Sequence, residues 1–227
     1  MVVIAALVTA LVLALIFGPN LWVMATMRRH AAERPDYPGT GGELARHLLD
    51  EAGLQHVKVE RVAAGDHYAP DDKAVRLSAG NFDGRSITAV AVAAHEVGHA
   101  LQHAEGYRPL MLRQTLAKWA VNINRVGAVL LVATPVLFAL TRSPVILFGQ
   151  VAGAFAIMLT TVLIHLLTLP TEFNASFRRA LPVLERFIPQ EDMPAARSVL
   201  KAAAFTYVAA ALTTLLDITR WLRLLRF

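Results

Sequence analysis

Long apolar stretches alternate with shorter polar ones along this chain, and the apolar stretches have the length of membrane-crossing helices. Residues 2–17 are apolar without a break, and after Gly18-Pro19-Asn20 the apolar character resumes through Met27. Positive charge follows this run, at Arg28 and Arg29, rather than preceding it as in a cleaved secretory signal. Residues 1–27 therefore read as a retained transmembrane helix, its N-terminus outside and the two arginines on the cytoplasmic side.

From 28 to 118 the pattern becomes that of a water-facing α+β domain. Pro35, Pro38, Gly39, Gly41 and Gly42 form a linker, and Thr40 is placed to cap a helix that runs from Glu43 through Leu49 and stops at Gly53. Residues 57–62 and 74–78 alternate at period two, with the turn-rich stretch 64–70 between them, so two strands precede the next helix. Ala74–Ser78 is expected at a sheet edge, either offering that edge to an extended substrate by strand addition or simply ending the sheet. The run Ile87–Ala94 is apolar nearly all round, which predicts a buried helix from Ser86 to a left-handed stop at Gly106.

A second membrane-length segment covers 119–140, with Asn122, Asn124 and Arg125 near its cytoplasmic end. Thr141-Arg142-Ser143-Pro144 makes an outer turn, and 145–169 is long enough to cross back. Pro170 is expected to break that helix, with Thr171 capping a new one and Glu172 in its first turn, within a cytoplasmic segment 170–201. The last segment, 202–227, reads as a fourth transmembrane helix or as one lying along the interface. Spanning would leave Arg220, Arg223 and Arg226 outside, against the charge rule, whereas an interfacial helix avoids that conflict.

Composition agrees with this outline. Of 227 residues 56% are hydrophobic and only 17% charged, too apolar for a water-soluble domain of this size. The net charge of +5 is spread over residues flanking apolar segments and forms no basic stripe with interleaved aromatics, so a lipid bilayer and not nucleic acid is the expected partner. There is no cysteine, so any metal must be held by histidine and carboxylate. The fold class expected is a mostly α integral membrane protein with three or four transmembrane helices and a small α+β domain, which the motif described next would make a zincin-like catalytic one.

The polar interruption in the apolar helix is His95-Glu96-Val97-Gly98-His99. Two histidines four apart share one helix face, which is the spacing of a two-imidazole Zn²⁺ clamp, and Glu96 projects beside it. A metal so held keeps a position for water, whose pKa falls to about 7. Glu96 would take the water's proton and pass it to a leaving amine. Buried His, Glu and His without partners would be costly, and one metal would satisfy them together. The subclass with its third ligand six residues after the second histidine has Gly and His where this chain has Gln102 and Glu105, so it is excluded. His103 lies on roughly the same face but too far along a straight helix to reach the same metal, and His165 is a packed or supporting residue. The hairpin brings Glu172 back to the side of His95 and His99, which makes it the expected third ligand of one zinc per chain.

With these residues in view, the chain resembles the YugP-like family of neutral zinc metallopeptidases. The resemblance rests on Asp66-His67-Tyr68, Val75-Arg76-Leu77-Ser78, Gly84-Arg85-Ser86, the stretch from His95 through His103, and Leu169-Pro170-Thr171-Glu172-Phe173-Asn174-Ala175-Ser176. More distantly, the last stretch resembles the Glu-aromatic-x-Ala-Asp segment of integral-membrane gluzincins, which implies the third-ligand role for Glu172. Where those relatives have an aspartate holding a zinc histidine, this chain has Ser176, with Asn174 placed to share the task. Tyr68, His67 and Tyr207 are candidates for stabilising an oxyanion. The resemblance implies a zinc endopeptidase of the bacterial plasma membrane, multi-pass, with its site facing the cytoplasm and membrane proteins or peptides as substrates. The alternative is a zinc-binding membrane scaffold without turnover, which would have no use for a carboxylate at 96.

Overall fold

The computed structural model describes residues 2–215, so the expected end of the last segment, with Asp217 and the three arginines, lies outside the described residues. The chain forms two compact units: one comprises Gly18–Met111 with Leu169–Thr206, the other the described residues of Met1–Phe17, Leu112–Thr168 and Tyr207–Phe227.

The first unit opens with the end of α1 (Val2–Arg29) and a linker held by backbone bonds, from Arg34 N–H to Arg85 O and from Thr88 N–H to His30 O. Arg34 and the Tyr37 hydroxyl both donate to the buried Asp192 carboxylate, at 2.7 and 2.9 Å. α2 (Gly41–Glu51) begins as expected at Thr40, whose side chain and that of Glu43 each accept from the other's backbone N–H in a capping box. Its buried Leu44, Leu48 and Leu49 pack on α4 (Ile87–Ala104), which follows the short α3 (Ala79–Phe82), starts at the Ser86 cap and is buried along most of its length.

Three strands stand against these helices: β1 (Lys58–Val62), β2 (His67–Ala69) and β3 (Ala74–Ser78). The sheet order is β1-β3-β2, with β1 parallel and β2 antiparallel to β3. The expectation that Ala74–Ser78 is an edge strand is therefore corrected. The stretch 64–70, read from its sequence as turn, contributes three paired residues and covers β3 on its second side. β3 is the central strand, which accounts for its buried Ala74, Val75 and Leu77.

A second correction concerns Pro170. The helix α6 (Pro144–Phe173) runs through it, and the chain then widens into a π-helical segment, Asn174–Ala180, before the short α7 (Leu181–Leu184). Thr171 is thus inside a helix and not a cap, and its buried Oγ1 has no hydrogen-bond partner among the described residues.

The second unit is helical. α5 (Arg108–Thr141) starts well before the expected Trp119, because Pro109 sits in the first turn, where its missing N–H costs no bond. Among the described residues, three helical stretches are long and apolar enough to cross a membrane: Thr9–Arg29, Pro144–Leu184 and Gln190–Thr213. The expected span 119–140 lies within α5 but is not one of the three, and its first half carries Asn122, Asn124 and Arg125. Gln190–Thr213 begins earlier than the expected last segment and includes most of α8 (Met193–Leu215).

Candidate metal centre

The site is built where α4 meets the π-helical segment. Gly98 permits the approach: a Cβ there would stand 3.0 Å from the carbonyl oxygen of Ala175 and 3.3 Å from its Cα. With only hydrogen on that face, the two backbones close up, and residues on both sides of Ala175 reach across to the histidines.

His95, His99 and Glu172 meet there, all buried. Glu172 Oε2 lies 3.3 Å from His95 Nε2 and 3.3 Å from His99 Nε2. These separations exceed an ordinary charge-assisted hydrogen bond of about 2.7–2.9 Å. They match the edge of a tetrahedron about 3.3 Å long that ligands make around zinc at about 2.0–2.1 Å. The two imidazole rings stand at 80° to each other with centroids 4.7 Å apart, so the rings converge on one point without stacking. Among the described residues, this trio of nitrogen and oxygen donors is the right size and chemistry for a metal ion.

The far nitrogen of each histidine is held as well. His95 Nδ1 donates to Ser176 Oγ at 2.9 Å, and that hydroxyl in turn donates to Leu200 O at 3.1 Å. Ser176 thus pairs with His95, the contact its position suggested. His99 Nδ1 donates to Gln102 Oε1 at 2.9 Å. Asn174 touches neither histidine and reaches the site through Gln102. Sequence reasoning used Gln102 to exclude a subclass and missed its role. A polar residue three positions after His99, hence on the same face of a buried helix, was the available signal.

Glu96 sits beside this trio, 7% exposed. Burial pushes its carboxyl up from 4.5 to about 7, opposed by the charge of His95, raised further by Glu172 and Asp66, and opposed again by the backbone N–H of Tyr68, which donates to it. A carboxyl poised there can both accept and return a proton near neutral pH.

The remaining candidates divide. Tyr68 is half-buried on β2, and its hydroxyl pairs with His103 Nδ1 at 2.8 Å, which gives His103 a partner other than a metal. His67 is exposed and donates from Nδ1 to Gly65 O. Tyr207 belongs to the second unit, where Arg113 donates to its hydroxyl and lies over its ring, and His165 packs beside the same ring.

Comparisons with known proteins agree with this geometry. The "Putative membrane protease YugP" of Bacillus subtilis (strain 168) is 38% identical over 216 residues, covering 94% of this chain and 92% of that protein. No solved structure matches. The family described as "Putative neutral zinc metallopeptidase" matches residues 4–226. The chain, matched over nearly its whole length, belongs to this neutral zinc metallopeptidase family.

Proposed function

We propose that this protein is a membrane-tethered zinc endopeptidase of the bacterial plasma membrane that hydrolyses peptide bonds of membrane proteins, or of segments held near the bilayer, at the cytoplasmic surface. The observation that carries the reading is the convergence of His95 Nε2, His99 Nε2 and Glu172 Oε2 at tetrahedral-edge distances, with Glu96 buried beside them. His95, His99 and Glu172 would hold one zinc per chain. When bound, zinc supplies Lewis acidity for a water and for the carbonyl under attack.

The chain's own residues do the rest. Glu96 accepts a proton from the water at its carboxylate and delivers it to the departing amine, a role its raised pKa suits. Ser176 and Gln102 keep the imidazoles turned toward the metal position. The outer strand on the Glu96 side is β2, whose Tyr68 backbone N–H donates to that carboxylate. A peptide laid along β2 would bring its carbonyl to the site in extended form. The arginines that flank the apolar helices support the cytoplasmic orientation.

The test is metal content and proteolysis of the detergent-solubilised full chain on casein, beside Glu96→Gln and Glu172→Ala. About one zinc in wild type and Glu96→Gln, less in Glu172→Ala, and cleavage by wild type alone would support the reading. Full zinc in Glu172→Ala would move the third ligand elsewhere. Zinc without cleavage of casein or of any membrane protein tried would favour the scaffold.

A further inference from the structure

Gln102 is fully buried and makes three hydrogen bonds, and the direction of each is forced by its partner. At the surface, Arg179 grips the Glu105 carboxylate with two bonds of 2.7 Å. Its third donor, Nε, reaches Asn174 Oδ1 at 2.9 Å. A guanidinium only donates, so Asn174 must present its oxygen and not its amide nitrogen. That same oxygen is 2.9 Å from Gln102 Nε2, and the backbone carbonyl of Thr171, which only accepts, is 2.8 Å from it. Both acceptors hold the Gln102 amide with its nitrogen toward the π-helical segment. Its oxygen is left facing His99, and the His99 nitrogen that meets it, Nδ1, must carry the proton. Nε2 is then the nitrogen with a free lone pair, and it is the one that faces Glu172.

We propose that Gln102 is the positioning residue that fixes His99 as a metal ligand, at the inner end of a hydrogen-bond chain whose direction is set from Glu105 through Arg179 and Asn174. The proposal rests on the metal-site reading above. Gln102 has a second effect: its bond to the Thr171 carbonyl ties α4 to the peptide next to Glu172, so one amide seats two of the three ligands. His95 is served differently, by a hydroxyl whose direction is set by the carbonyl of Leu200, itself fully buried. The centre therefore has one locally held imidazole and one held through a relay that ends in an exposed ion pair.

The measurement is zinc affinity of the purified full chain by competition with a chromophoric chelator, with the thermal unfolding midpoint of the metal-free protein as the folding control. Gln102→Leu is expected to bind zinc about 10–100-fold more weakly while the metal-free protein still unfolds cooperatively, at a midpoint lowered by the loss of its buried hydrogen bonds. In the zinc-loaded wild type, a ¹⁵N-histidine spectrum should show a slowly exchanging Nδ1 proton at His99, and Gln102→Leu should lose that protection. Asn174→Leu frees one of the two restraints on the amide and should weaken binding several-fold, and Asn174→Asp, which keeps an oxygen for Arg179 and Gln102, should recover most of the loss. Zinc binding by Gln102→Leu within about two-fold of wild type would overturn the proposal. So would an Asn174→Asp variant as weak as Asn174→Leu, since packing and not the acceptor would then be responsible. If Gln102→Leu does not fold, the Asn174 pair decides alone. A wild type that binds no zinc would remove the metal-site reading itself, and that result is read before any variant is made.

Discussion

In the helical unit Val129, Leu140, Val145 and Phe148 expose 68–79% of their surface, whereas in the unit that carries the site Leu49, Val75, Leu77 and Leu184 expose none. Polar groups show the reverse. The site unit buries His95, Glu96, His99, Gln102, Glu172 and Ser176, and satisfies them with one another, with Asn174 and with backbone groups of Tyr68, Thr171 and Leu200. In water, each exposed large apolar side chain would forgo about 1.5–3 kcal/mol. In hydrocarbon that penalty would vanish, so the same residue types that one unit buries could stand on the surface of the other. The site unit keeps its large apolar side chains inside; the helical unit carries them on its surface, in helices that include stretches apolar and long enough to cross a membrane.

The contrast is broken most directly by charging the helical surface. Leu159, 47% exposed near the middle of α6, tolerates arginine only if water is its neighbour. In a bilayer Leu159→Arg should cost about 2.5–3.5 kcal/mol of insertion, seen as loss of protein from the membrane fraction. Undiminished membrane yield would mean that this face does not meet lipid.

The next effect lies in the buried polar group. Glu96 has its carboxyl raised from 4.5 to about 7, so between those values the folded, metal-free chain holds a proton that the unfolded chain has released. Stability from this group is full below the unfolded value and is lost as pH rises through about 7. The loss is on the order of 3 kcal/mol. Glu96→Gln, measured with chelator present, should therefore melt higher than wild type at pH 8 and lose that advantage near pH 4. Parallel melting curves at both pH values would contradict the burial of this carboxyl.

A smaller effect is expected at Gly98→Ala. The added methyl meets Ala175 backbone that cannot swing aside, and overpacking of this kind costs about 1–3 kcal/mol. Because the displaced segment carries Glu172 and Ser176, zinc affinity should fall along with the melting temperature. The smallest is Thr40→Ala, which removes the capping box of α2 and about 1 kcal/mol of stability. It should leave zinc affinity untouched, and an affinity loss equal to that of Gly98→Ala would show that the centre senses general stability and not the α4 contact.

Much of this was legible in the chain. The capping pair at Thr40 and Glu43, the Ser86 start and Gly106 stop of α4, and the strand at 74–78 follow from local chemistry, because caps, left-handed turns and period-two alternation act within a few residues. The cluster of His95, His99 and Glu172, which could hold a metal, was legible for a related reason. His95 and His99 are one helical turn apart, and Glu172 was reached by counting membrane crossings.

What the sequence determined by itself is therefore the donor set, the helix that presents two of its members, and the apolar stretches. What only the tertiary structure decided involves partners far apart in the chain. β3 became central because three turn-like residues pair across it, and Pro170 stayed within a helix that widens after it. Gly98 gained its meaning from a backbone 77 residues away, Ala175, and Gln102 from Asn174, whose amide is turned by Arg179. Local propensity carries no information about such contacts. Close packing and the one-way direction of hydrogen bonds fix them only when the segments meet.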